Sequence, residues 1–238
     1  MRFACCTVAL VACVLASGQT LPTFDLPGSL ELVDLPPEAT PVEAMMVSLQ
    51  PLARDHEIQA RPDRNGKFVL KNIKPGRYSL TVPFPGRIRT FAIGSKELAP
   101  DGFDLNSSDV GSLRIVVSEK TTKVSVNVRG LRSQRADGAI ALMSPADPYL
   151  TLRLSCISNA LTEPRTTFMF VPLGRYRILI IDKEFQSDVS AYAPRFPDFL
   201  KDHATQVEAS EDGDTEVTAT YVDGESIKRA IQEAGPIR

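Results

Sequence analysis

The sequence predicts an all-β protein, two tandem antiparallel β-sandwiches followed by a short C-terminal helix. Three observations carry this. Apolar side chains recur at every second position in many short runs, as in Val124-Ser125-Val126-Asn127-Val128. Successive strand side chains point to opposite faces, so each such run has a buried and a wet side. Turn-forming pairs then separate the runs at short intervals: Asp63-Arg64-Asn65-Gly66, Lys74-Pro75-Gly76, Asp101-Gly102, Asp137-Gly138 and Asp212-Gly213, a spacing typical of sandwiches and barrels. Finally, NGKFVLKNIKPGRYSLTV at 65–82 has a weaker echo, TTFMFVPLGRYRILIID at 166–182, about 100 residues on.

Taken from the start, Met1-Arg2 supplies one positive charge, Phe3–Leu15 is almost wholly apolar, and Ala16-Ser17-Gly18 offers small residues for cleavage. This predicts a secretory signal peptide over residues 1–18, too short to span a membrane comfortably. Leu10-Val11-Ala12-Cys13 also fits a lipobox, which would place a lipid anchor on Cys13. Cys5, Cys6 and Cys13 fall within the signal, so Cys156 is alone in the mature chain and no internal disulfide is expected. Cys156 is in phase with the apolar face of Leu150, Leu152 and Leu154, and is read as a buried thiol.

Residues 20–42 contain Pro22, Pro27, Pro36, Pro37 and Pro41. Proline removes backbone donors, so this lead is expected to be a linker with one short strand, Ser29–Val33. Strands are then expected at Ser112–Ser118, with Leu113, Ile115 and Val117 inward, at Leu150–Leu154, and at Val217–Tyr221. In Lys74-Pro75-Gly76-Arg77, proline presets φ and glycine accepts positive φ, which predicts a type II turn. Phe68 and Leu70 before it and Tyr78, Leu80 and Val82 after it then share one core, with the Tyr78 hydroxyl on a backbone carbonyl near the corner. In the echo, Phe168 and Phe170 take the outgoing role and Tyr176, Ile178 and Ile180 the return, over a connection two residues shorter. A turn or two of helix is expected near Pro197–His203, and a helix over Glu225–Glu233. The division expected is 1–18 signal, 19–120 first sandwich with its Pro-rich lead, 121–222 second sandwich, 223–238 helical tail.

The stretch GKFVLKNIKPGRYSL resembles the signature hairpin of carboxypeptidase regulatory-like domains, which are prealbumin-like (transthyretin-type) sandwiches of about seven strands. VSLQPL before it, ELAPDGFDLNSSDVGSLRIVVSE after it, and the succession from VSVNVRG to DGDTEVTATYV resemble tandem modules of exported bacterial proteins. The resemblance spans 28–222. It implies a fold and an accessory role, and no catalytic residue. The second unit departs from the pattern in having Glu163-Pro164-Arg165-Thr166-Thr167 where an Asp-x-x-Gly turn is usual. Transthyretin-type hydrolases resemble one another in a Tyr-Arg-Gly-Ser stretch, where this chain has Tyr221-Val222-Asp223-Gly224.

The chain of 238 residues carries 27 Lys/Arg and 29 Asp/Glu, for a net charge of −2. Residues 19–120 hold 12 basic and 13 acidic side chains, residues 121–238 hold 14 and 16. Neither half offers the basic field that nucleic acid requires. The absence of Trp argues mildly against a sugar-stacking platform. His56 and His203 lack a second His or Cys at ligand spacing and read as exposed loop residues. Asp101, Asp104 and Asp109 gather oxygen atoms that Ca²⁺ accepts, yet Asp, Asn, Ser and Gly are also what turns are made of. Turn formation is favoured. Glu211-Asp212-Gly213-Asp214 reads as a hairpin tip, and Asp182, Glu184 and Asp188 as a solvated rim. Lys123 resembles the donor of a Lys–Asn isopeptide staple, but Thr215–Val222 offers no Asn. No catalytic, cofactor or metal residue is assigned. The expectation is an exported, secreted or periplasmic, non-enzymatic binding or scaffolding protein of the cell envelope. Its partner is a protein or glycan, and it meets a membrane only if lipidated at Cys13. The competing reading is an accessory subunit of an extracellular enzyme or a degenerate hydrolase.

Overall fold

A computed structural model describes residues 22–35, 41–53, 56–82, 86–108, 111–150, 157–190 and 200–234. The expected signal peptide, Cys13, Cys156, Asp109, residues 151–154 and Pro197 lie outside the described residues.

The first half contains β1 (Phe24–Val33), β2 (Val47–Pro51), β3 (Ile58–Ala60), β4 (Lys67–Ile73), β5 (Gly76–Thr81), β6 (Arg87–Ile93), β7 (Lys96–Glu97), β8 (Phe103–Leu105) and β9 (Leu113–Ser118). The second contains β10 (Thr121–Arg129), β11 (Ala139–Pro145), β12 (Ile157–Ala160), β13 (Arg165–Pro172), β14 (Gly174–Asp182), β15 (Thr205–Ala209) and β16 (Thr215–Thr220), with helices α1 (Gln186–Ser190) and α2 (Gly224–Ala234).

Four sheets result: β4-β1-β9-β6-β7, β3-β2-β5-β8, β13-β10-β16 and β12-β11-β14-β15. Among the described residues no sheet takes strands from both halves. The topology is duplicated strand for strand, β4-β1-β9 answering to β13-β10-β16 and β3-β2-β5-β8 to β12-β11-β14-β15. Each half departs from the common plan at the same place in chain order. Between its fifth and last two shared strands the first half adds β6 and β7 to a sheet. The second instead runs through Lys183–Phe185 and α1.

The expected alternation sets the cores. Leu26, Leu30, Phe68, Leu70, Leu113, Ile115 and Val117 from one sheet meet Val47, Leu49, Tyr78, Phe103 and Leu105 from the other. Val124, Val126, Phe168, Met143, Tyr176, Ile178 and Ile180 do the same in the second half. A third cluster follows because β14 is buried on both faces. Leu179 and Ile181, with Ile140 and Leu142, face Phe185, Val189, Leu200, Ile227 and Ala230. The C-terminal helix is therefore a packed third layer. Its first turn is capped by Asp223, whose carboxylate accepts from the Ser226 backbone N–H and hydroxyl, both at 3.0 Å. These bonds hold the Asp223 carboxyl below its ordinary pKa.

Several expectations are corrected. The lead is not a linker with a five-residue strand, since β1 runs ten residues through Pro27. Proline is tolerated there because β1 pairs with β9 only over Gly28–Val33, leaving a neighbour on one side alone at Pro27. The Pro-Gly stretches are not hairpins. β4 pairs with β1 and β5 with β2 and β8, so each stretch carries the chain across the sandwich from one sheet to the other. Positive φ is found at Asn72 (57°), not at Gly76, so the turn is not type II. Likewise β15 and β16 belong to different sheets, and the acidic segment between them is a crossing, not a hairpin tip. Leu200–His203 forms a turn, as expected for the described part of that segment.

Two glycines are required by contact. A Cβ on Gly66 (φ +74°) would lie 2.1 Å from the Leu30 carbonyl oxygen, and one on Gly28 would lie 2.4 Å from the Phe68 ring. Both keep β1 closed against the β4 edge of its sheet.

Candidate functional site

The two crossings share one construction. Tyr78 Oη donates to the Lys74 carbonyl at 2.8 Å, and Tyr176 Oη donates to the Pro172 carbonyl at 2.7 Å. Each tyrosine thus bonds the residue four before it, and burial raises the Tyr176 hydroxyl well above its ordinary pKa. Counted back from these tyrosines, the connections have the same length. Leu70 corresponds to Phe168, Asn72 to Phe170 and Ile73 to Val171. The expectation of a connection two residues shorter is corrected, and so is the inward role of Phe170.

In both halves the pairing slips at this point, between the Phe24 and Leu26 pairs of β1 and between the Thr122 and Val124 pairs of β10. The bulge inserts a residue and shifts the in-out phase. Ile73 and Val171 are therefore buried, at 0% exposure, while the residue before each points outward at positive φ, 57° for Asn72 and 55° for Phe170. Asparagine tolerates this conformation; a bulky aromatic does so at a cost. Phe170 is 77% exposed and Met169 beside it 57%. The equivalent pair in the first half is Lys71-Asn72, both exposed. β13, which carries the apolar pair, is an edge strand.

A second feature is a cleft of about 550 Å³ where the halves meet. Its lining comes from β6, from Glu97 and Leu98, and from β15 and the residues after it through Glu211. The halves are held together around it. Ile88 N–H donates to the Tyr149 carbonyl at 2.7 Å, and Arg87 and Leu150 form an antiparallel bridge. Tyr149 packs on the first core while Leu150 is buried in the second. Arg87 reaches the buried Asp147 carboxylate at 3.3 Å. Arg89 pairs with Asp34 and Glu211, each at 3.2 Å, and Lys120 pairs with Glu211 at 3.0 Å. The Lys120 and Arg89 contacts hold Glu211 below its ordinary pKa. Within this junction Glu119 is 8% exposed, and its Oε1 has no hydrogen-bond partner among the described residues. Burial raises its pKa.

The other residues singled out from sequence are dispersed. His56 and His203 are exposed on separate loops. Asp101 lies in a turn, with Gly102 N–H bonded to the Ala99 carbonyl at 3.2 Å, whereas Asp104 is on β8 opposite Arg77. Asp182 accepts the Tyr221 hydroxyl at 2.8 Å, and Glu184 and Asp188 are exposed on the short helical segment beyond it. Lys123 forms an ion pair with Asp214, both partly exposed. Among the described residues no group of three His, Cys, Asp or Glu could hold a metal ion, and no helix is long and apolar enough to cross a membrane.

No family model matches the chain, and no curated protein matches it. Solved structures do. The minor pilin GBS52 of Streptococcus agalactiae is 11% identical, with 82% of this chain and 94% of that one covered and a TM-score of 0.39. A candidate adhesin from Bacteroides ovatus is 14% identical, covering 84% and 94%, with a TM-score of 0.31. The major pilin subunit BcpA of Bacillus cereus is 9% identical, covering 84% and 99%, with a TM-score of 0.27.

Proposed function

We propose that this chain is an exported, non-catalytic binding and scaffolding protein of the cell envelope, built from two prealbumin-type sandwiches of the carboxypeptidase regulatory-like kind. Its second sandwich grips a protein partner at Met169-Phe170. The observation that carries this is the exchange at the duplicated bulge. Where the first half has the soluble, conformationally compatible Lys71-Asn72, the second exposes two large apolar side chains and holds the aromatic at positive φ. Backbone strain and exposed apolar area both oppose stability, and such features concentrate where a surface is used. An aromatic on a rigid frame also loses little conformational freedom on binding. The frame is supplied by Phe168 and Val171, buried at 1% and 0% on either side.

The test restores the first half's pair in the second, Met169→Lys with Phe170→Asn. Wild type and variant, immobilised side by side, are exposed to an envelope extract. A protein retained by the wild type and lost by the folded variant is the expected result. Equal retention of every bound protein would overturn the assignment. N-terminal sequencing of the exported protein is expected to begin at or near Gln19; an intact Met1 would overturn export.

A further inference from the structure

We propose that the cleft between the halves binds an extended, basic peptide segment by strand addition, a second interaction surface beyond the Met169-Phe170 patch.

Its two walls are strand edges. β15 is the last strand of its sheet. The outer edge of β6 is occupied at both ends, by Tyr149-Leu150 against Arg87-Ile88 and by Lys96–Leu98 against Phe91–Ile93. Between them, Arg89 and Thr90 have no strand neighbour on that side among the described residues. However, β6 bulges at Arg89, where its pairing with β9 slips between Ile88 and Thr90, so the added strand takes its ladder from β15. Unpaired strand edges are templates for an added strand, whose main chain supplies affinity and whose alternate side chains supply specificity. The volume lies within the roughly 300–1,000 Å³ of small-ligand sites, suiting a short segment and not a folded domain. Ile88, Phe91 and Leu98 behind the cleft are buried in the first core, so the wall that an incoming strand meets is rigid and mostly backbone and polar side chain.

The charges select its sign. Arg87 is satisfied by Asp147, and Arg89 by Asp34 and Glu211. Glu97 and Glu208 also line the cleft, are exposed, and hold no ion pair among the described residues. The uncommitted charge is therefore acidic, and the complementary side chain is Lys or Arg.

The probe is a fluorescein-labelled Lys-Val-Lys-Val-Lys amide, followed by anisotropy at low salt against the intact protein. Comparators are Glu-Val-Glu-Val-Glu and a basic peptide N-methylated at both valines, which removes backbone donors and keeps the charge. Saturable binding of the basic peptide alone is expected. Glu97→Gln with Glu208→Gln should weaken it roughly three- to tenfold, two exposed charge pairs being lost. Both side chains are exposed, and an unchanged melting temperature confirms that the variant is folded. Phe170→Asn should leave binding as it is. Absence of saturable binding, equal binding of the acidic peptide, competition by inorganic phosphate, or indifference to the double substitution would each overturn the proposal. Full binding of the N-methylated peptide would overturn strand addition.

Discussion

Asn72 and Phe170 occupy one and the same position of a duplicated corner, six residues before the tyrosine that closes it, at φ 57° and 55°. One residue type suits that backbone and the other does not. Replacing Phe170 with Asn, whose short polar side chain can hydrogen-bond locally in the left-handed conformation, should therefore stabilise the protein by about 1 kcal/mol. Urea denaturation measures this. A loss of stability would mean that the Phe170 ring contributes packing that its 77% exposure conceals.

The corner tyrosines should act as folding elements. Tyr78→Ala removes a large buried ring and is expected to cost about 3–5 kcal/mol. Tyr176→Phe keeps the ring but strands the Pro172 carbonyl in a buried place, for about 1–3 kcal/mol. Chemical denaturation of both variants decides. Unchanged stability with lost partner binding would make either residue a recognition group instead.

Glu119 should make the junction acid-tolerant. Its folded pKa is raised, so the folded state holds its proton more tightly than the unfolded chain does. The burden of burying the carboxylate is present above the folded pKa and is relieved as pH falls through it. Glu119→Gln should then stabilise the protein at neutral pH. The advantage should shrink on acidification and vanish below the ordinary glutamate pKa. Paired melting curves from pH 8 to pH 4 test this, and a pH-independent difference would refute it.

The two halves are proposed as separable folding units. The named strands pair only within 24–118 or within 121–220, and the junction adds a single antiparallel bridge, Arg87 with Leu150, among the described residues. Residues 22–118 and 121–234, produced separately, are each expected to melt cooperatively, at lower temperature than the whole chain because Arg87 and Asp147 lose each other. A half that is unfolded by circular dichroism would show that one sandwich needs the other.

Period-two patterning placed most strands and their inward residues, since Leu113, Ile115 and Val117 or Ile178 and Ile180 can be buried only one way. It could not say which sheet a strand joins, because alternation records in and out and not the neighbour. That is why the Pro-Gly stretches read as hairpins. Phe170 was misplaced for a related reason, as a bulge resets the phase without a glycine to mark it. The uninterrupted Ile178-Leu179-Ile180-Ile181 run did contain the missing signal for the helical layer, since strands buried on both faces lose their alternation. Nothing local announced the cleft: Arg89 and Glu211 stand 122 positions apart and meet only when both halves are folded.

In each half the first strand and the last run side by side in the same direction, Gly28–Val33 along Leu113–Ser118 and Val124–Arg129 along Thr215–Thr220. The chain consequently enters each sandwich at one end and leaves at the other. Tension applied through the polypeptide pulls these neighbours past each other along their length. The bonds between them must then yield together in shear and cannot open one at a time like a zipper. A protein tethered at one end and gripped at the other would resist extension through the six paired positions of each unit, a mechanical property set by strand direction alone.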